Sequence, residues 1–251
     1  MIDTHCHLDV AAFDGDRDAV IARAIAAGVR GIVVPAIRMR PRPIAHPIIR
    51  VALGMHPQIV PELDAAERAL DPEQLAAAAI QAGACAIGEC GLDGATAERE
   101  LQEQLFRVQI RAARLAKLPL VVHVLRAHDA APRILRDEHA DEVGGVLHSY
   151  SGGAELVGVY AALGFACSFA GPITYPNARK PIEAARIVPA ELLLAETDAP
   201  DQAPAGHRGQ RSEPAFVAEV IAGLAAARGD EPAAIAALTD ANAKRIFRSW
   251  V

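Results

Sequence analysis

Aromatic residues make up only 4% of this 251-residue chain, which leaves little surface on which successive bases of an extended single strand would stack. No apolar run approaches the roughly 20 residues needed to span a bilayer. The N-terminus lacks a basic stretch followed by an apolar one, so no export leader is expected and the cytoplasm is the expected location. Basic residues are not in surplus. The formal net charge of −6 weighs against a binder that relies on a broad basic surface, though not against a phosphodiester substrate held by bound cations. Cys6, Cys85, Cys90 and Cys167 form no CxxC pair and are expected as free thiols of a reducing compartment. No glycine-rich dinucleotide turn follows the first strand-like run, which counts against a doubly wound open sheet.

What the chain does contain is regular alternation. Strand-like apolar runs fall at 2–5, 31–34, 48–53, 85–89, 120–123, 146–148, 165–169 and 192–196. Amphipathic segments such as 17–27, 98–116 and 154–163 separate them, and 213–227 and 232–250 follow the last. Strand and helix repeated eight times predict a single (β/α)8 TIM barrel over residues 1–251. Gly28, the Lys117-Leu118-Pro119 step and Gly164 read as helix stops, and Pro72 and Pro232 as first-turn residues. Residues 37–47 break the pattern: three prolines and no helical period predict that the second crossover is shortened and lacks a full helix.

Five of the strand-like runs end in residues that bind metals. His5 and His7 lie two apart after the first, Glu89 is the lone carboxylate of the fourth, His123 and His148 close the next two, and Asp198 follows the last. In a parallel barrel the carboxyl ends of the strands share one rim. Four imidazoles and two carboxylates there would hold a pair of divalent ions, which predicts a hydrolase. A buried Glu89 must either pair with arginine or bind metal. Zn, Mn and Mg all fit the donor set, with its nitrogen content favouring Zn or Mn. His56 follows the third strand onto the same rim and, with Arg126 and His128, is expected to contact phosphate or leaving group. Arg208 and Arg211 are candidate backbone contacts.

The ordered motifs resemble the TatD family of metal-dependent hydrolases within the amidohydrolase superfamily. They are Asp3-Thr4-His5-Cys6-His7-Leu8-Asp9, Gly54-Met55-His56-Pro57, Ile87-Gly88-Glu89-Cys90-Gly91-Leu92-Asp93, His123, His148-Ser149-Tyr150-Ser151-Gly152, Leu194-Ala195-Glu196-Thr197-Asp198-Ala199-Pro200 and Asn242-Ala243-Lys244-Arg245-Ile246-Phe247. The resemblance implies that His5, His7 and Asp198 bind a first metal, that His123 and His148 bind a second, and that Glu89 bridges both, with no carboxylated lysine. It also implies a deoxyribonuclease that removes nucleotides from single-stranded DNA at the 3′ end, with Glu89 and Asp198 catalytic and Asp198 acting as base. Two features depart from the family pattern: the shortened 37–47 segment, and Gly94 where an aromatic residue often stands. The other enzyme class compatible with the barrel is a two-metal esterase or amidase, such as a D-aminoacyl-tRNA deacylase or a lactonase. A noncatalytic scaffold would retain unpaired buried acids and imidazoles at a cost. No membrane partner is expected, and a monomer is the default.

Overall fold

Strands β1 (Ile2–Asp3), β2 (Gly31–Pro35), β3 (Arg38–Met39), β4 (Ile49–Met55), β5 (Ala86–Asp93), β6 (Leu120–Leu125), β7 (Gly145–Leu147), β8 (Phe165–Phe169) and β9 (Leu193–Ala195) form one sheet in the computed structural model. It describes residues 1–250; Val251, the last residue of the expected domain, lies outside the described residues. All strands but β3 pair in parallel, in chain order. The Thr4 N–H donates to Ala195 O at 3.2 Å, and Cys6 bridges Ala199, which brings the last strand back to the first. The result is the nearly closed barrel of eight parallel strands that the alternation predicts.

Helices α1 (Arg17–Ala26), α2 (Ala65–Arg68), α3 (Pro72–Gln81), α4 (Arg99–Ala116), α5 (Ala131–Asp137), α6 (Ala154–Ala161), α7 (Arg179–Ile187), α8 (Val217–Arg228) and α9 (Pro232–Phe247) complete the fold. Local chemistry sets their ends. Asp71 accepts the Gln74 N–H at 2.9 Å while Pro72 occupies the first turn of α3, and α4 stops where Lys117 turns left-handed at φ 55°. Among the described residues no helix is long and apolar enough to cross a membrane.

Between β2 and β4 there is no helix, as the prolines require. Instead β3 folds back antiparallel on Gly54 and Met55 at the end of β4. Arg42 then pins the segment over the first loop: its N–H donates to Asp9 Oδ2 at 3.0 Å, and its guanidinium donates to Asp9 O at 2.7 Å and to Asp14 Oδ1 at 2.6 Å.

Two apolar clusters follow from the period-two geometry of strands. Residues such as Ile32, Ile87, Leu120, Val122 and Leu147 pack outward beneath the helices. Ile2, Val33, Ala52, Ala86, Val121, Val146, Ala166 and Leu194 fill the lower barrel, with Ala243 and Phe247 of α9 in the same cluster and Trp250 packed against it. Two residues further along the same strands the lining becomes polar: Thr4, His123, His148, Ser168 and Glu196 stand above Ile2, Val121, Val146, Ala166 and Leu194. Helix α4 steadies that rim. Its buried Gln109 accepts the Met55 N–H at 2.7 Å and donates to Met55 O at 3.1 Å. One heptad earlier, Gln102 accepts the Asp93 N–H at 2.8 Å and donates to Asp93 O at 3.2 Å.

Candidate metal centre

Glu89 is fully buried, and five imidazoles surround its carboxylate. Oε2 lies 3.0 Å from His5 Nε2 and 3.3 Å from His7 Nε2. Oε1 lies 2.8 Å from His56 Nε2, 3.0 Å from His123 Nδ1 and 2.8 Å from His148 Nε2. Asp198 Oδ1 closes the first side, 3.6 Å from His5 Nε2 and 3.8 Å from His7 Nε2. No arginine pairs with Glu89 among the described residues, so of the two partners open to a buried acid here, metal is the one the surroundings favour.

Strict alternation would not aim Glu89 inward. Ile87 and Cys90 both pack in the outer cluster. The register between β5 and β6 slips between these residues, with Ile87 opposite Leu120 and Cys90 opposite Val122, so β5 carries one extra residue there. That bulge lets Gly88 and Glu89 both face the barrel axis. Gly91 makes the close approach possible: at φ 130°, a Cβ on it would lie 2.0 Å from His123 O. His5 and His7 converge beyond the end of β1 rather than on it. Their segment stays extended because the Cys6 N–H donates to Val33 O at 3.0 Å and the His7 N–H to Ala199 O at 2.8 Å.

The donor set fits divalent cations. The buried Glu89 Oε2 has no aligned hydrogen bond despite its two imidazole neighbours, and the buried His5 Nδ1 and His7 Nδ1 are also unpartnered. Donor atoms about 3 Å apart, aimed at shared space rather than at one another, are what a shell of ligands each about 2 Å from an ion presents. His123 and His148 carry outer carboxylates on their far nitrogens, Asp93 Oδ2 at 3.3 Å from His123 Nε2 and Glu196 Oε1 at 3.3 Å from His148 Nδ1. This is the pattern that orients metal-binding imidazoles. His56 differs. Its Nδ1 accepts the Gln58 N–H at 3.0 Å, so the neutral ring carries its proton on Nε2, facing Glu89 Oε1. It serves as a hydrogen-bond donor to the carboxylate.

Burial opposes ionisation of Glu89, but the imidazoles around it prevail and hold the carboxyl well below its usual range. Burial lowers His5 and His56. Burial also acts against His148, yet Glu89 and Glu196 push it well up, and His7 and His123 rise for similar reasons. Beneath the cluster, burial pushes Asp3 up to about 8 against the hydrogen bonds it receives from Thr197.

With this geometry in view, comparison with known proteins is decisive. Residues 2–248 match the family model of TatD-related DNases. The chain belongs to that family. It is 37% identical to the uncharacterized metal-dependent hydrolase YabD of Bacillus subtilis, with 99% of each chain aligned. It is 31% identical to the 3′-5′ ssDNA/RNA exonuclease TatD of Escherichia fergusonii, with 98% of each aligned. Among solved structures, the TatD homologue YJJV of Escherichia coli superposes with a TM-score of 0.89 at 32% identity, covering all of this chain and 98% of that one.

Not every residue expected to act in this TatD-family site reaches the cluster. His5, His7, Glu89, His123, His148 and Asp198 converge, and His56 joins them from the position expected for a substrate contact. His128 lies to one side, its Nδ1 2.8 Å from Tyr160 Oη and its Nε2 3.0 Å from Ser151 Oγ. Arg126 is exposed at φ 50° and does not line the cavity above the cluster. Arg211 is held at 2.7 Å by Asp16, and Arg208 lies over the Tyr175 ring at 4.7 Å. The sequence reading missed Glu196, Asp93, Gln58 and Gln202. Glu196 had a signal, since it stands two residues beyond the inward Leu194. Gln202 donates to Asp198 Oδ2 and accepts from Ser149 Oγ at 2.9 Å.

Proposed function

We propose that this hydrolase is a two-metal phosphodiesterase that removes nucleotides from the 3′ end of single-stranded DNA. The Glu89 carboxylate carries the reading: one oxygen faces His5 and His7 and the other faces His123 and His148, so one buried anion stands between two sets of nitrogen donors. The name of the Escherichia fergusonii relative supports nucleic acid as the substrate class. His5, His7 and Asp198 would hold one ion of Zn, Mn or Mg, and His123 and His148 the other, with Glu89 between. The four buried free thiols support a cytoplasmic setting.

Divalent cations bound here would act as Lewis acids, acidifying water and offsetting charge on the phosphoryl oxygens. The chain's own groups do the rest. Gln202 occupies Asp198 Oδ2 and leaves Oδ1 turned to the cluster, so Asp198 is the base that takes a proton from the attacking water. Asp93 and Glu196 fix the rings of His123 and His148. His56 holds Glu89 in one rotamer. The cavity above, about 540 Å³ with His7, His148 and Asp198 in its lining, is in the range that takes one small ligand or a strand end.

The test is an assay of 3′- and 5′-labelled single-stranded DNA with Zn, Mn and Mg in turn, beside charged D-aminoacyl-tRNA and a lactone panel. The wild type should release mononucleotides from the 3′ end, stop on chelation and recover with added metal. Hydrolysis confined to the tRNA or lactone substrates would replace the nuclease reading with a carboxylic-ester one.

A further inference from the structure

The cavity above the metal centre is lined by more than metal donors. Beside the imidazoles and carboxylates of the cluster and the Ser149 and Ser151 hydroxyls stand the apolar side chains of Leu125, Phe169, Ile173 and Pro181. Lys180, at the start of α7, is the one lysine or arginine in the lining, and it is exposed. No carboxylate pairs with it among the described residues. Several arginines are paired instead. Arg38 is held by Glu67 at 2.5 Å, Arg42 by Asp14 at 2.6 Å, Arg68 by Glu98 at 2.6 Å and Arg114 by Glu142 at 2.7 Å. Many cations are thus neutralised on the surface; Arg126, Arg179 and Arg208 share with Lys180 the lack of a carboxylate partner among the described residues, and of these Lys180 alone lines the cavity. The other charged lining residue outside the cluster, Asp201, follows β9 and makes no ion pair with Lys180.

We propose that Lys180 binds a second, non-scissile phosphate of the substrate strand, with the intervening nucleoside lying against the apolar wall that Phe169, Ile173 and Leu125 provide. This rests on the phosphodiesterase reading and sharpens it. A single phosphate diester would fill only the metal end of the cavity; a strand with two successive phosphates would also reach Lys180. A flexible ammonium on a four-carbon stem suits a phosphate whose position varies with the base beside it, and an apolar face accepts any base without reading its edges. The substrate class is therefore an oligonucleotide end with at least two phosphates. Digestion should slow at the last dinucleotide.

The experiment compares wild type, Lys180→Ala, Lys180→Arg and the distant Lys117→Ala on two probes. One is bis(4-nitrophenyl) phosphate, with one phosphate and no strand; the other is a trinucleotide with two internucleotide phosphates. Lys180→Ala is expected to raise KM for the trinucleotide about ten-fold, leave KM for the small diester within two-fold, and lower the log–log salt slope for the trinucleotide by about 0.7. Lys180→Arg should restore most of the loss, and Lys117→Ala should match wild type. Equal effects of Lys180→Ala on both probes, or none on either, would overturn the assignment while leaving the phosphodiesterase reading intact. If wild type hydrolyses neither probe, that reading fails, and equilibrium binding of trinucleotide against dinucleotide decides the Lys180 question separately. A trinucleotide advantage that Lys180→Ala abolishes supports the site; no advantage in wild type removes it.

Discussion

The two ends of the barrel are built from the same strands and do opposite work. At the lower end Val121, Val146, Ala166 and Leu194 meet Ala243 and Phe247 of α9 in a sealed apolar layer. Two residues along, His123, His148, Ser168 and Glu196 occupy the upper end. At the base, filling the volume is enough, and any residue of the right size serves. At the top, each polar atom needs a partner, and several find one only in a carboxylate, a neighbouring imidazole or a cation. The difference teaches where substitutions should separate stability from activity.

The sharpest break of that comparison sets Glu89→Gln against Phe247→Ala. Glutamine keeps the shape of Glu89 but removes the anion that both histidine groups face, so cleavage of single-stranded DNA should fall by about 10³-fold or more, roughly 4 kcal/mol. Its thermal midpoint without metal should fall by less than that of Phe247→Ala, because the desolvation cost of the buried anion is removed along with its attraction to the imidazoles. Phe247→Ala should do the reverse, costing about 3–5 kcal/mol of stability while kcat at 25 °C holds within two-fold. Paired denaturation and turnover measurements decide; if both variants lose both properties, the two ends are not separable in the way the layering implies.

A finer probe lies within the upper end. Glu196→Gln leaves the six expected ligand residues untouched but replaces the carboxylate facing His148 Nδ1 and receiving the Ser149 N–H at 2.6 Å. Losing such an outer partner typically costs about 10- to 100-fold in metal affinity. Metal titration followed by equilibrium dialysis should show one ion weakened and the other retained. An unchanged isotherm would make Glu196 a packing residue with no bearing on the centre.

How much of this was legible in the chain varies with the physics involved. The eight-fold alternation and the missing second crossover helix could be read, because period and proline act locally. His123 and His148 could be read because each is a lone polar residue closing an apolar run. The inward aim of Glu89 was read from its being the lone carboxylate of an apolar strand and not from alternation, which counted from the outward Ile87 would place it outside; the extra residue in β5, between Ile87 and Cys90, turns it in. The clamps at Gln102 and Gln109 were hidden, since their partners Asp93 and Met55 are backbone groups brought near by the fold. Arg211 misled in the other direction. Its loop composition suits a nucleic-acid contact, yet it is held by Asp16, at a distance in sequence that no local pattern records.

That last pair also gives the smallest expected effect, at the rim where the closing loop meets α1. Arg211 donates to both oxygens of Asp16 at 2.8 and 2.7 Å, donates to Ala12 O at 2.7 Å and lies 4.6 Å over the Phe13 ring. Its hydrogen bonds, with those of Arg23, lower the Asp16 carboxyl from 3.8 to about 2. A carboxylate depressed on folding stabilises the native state above its unfolded pKa, and that contribution is lost as pH falls through the folded value. Asp16→Asn should therefore differ from wild type by about 1 °C in thermal midpoint at neutral pH, as an exposed ion pair allows. The two curves should draw together between pH 3.8 and about 2. High salt should shrink the gap at neutral pH. A gap that persists unchanged at pH 2 would assign the variant's effect to packing around Phe13 instead of to the charge on Asp16.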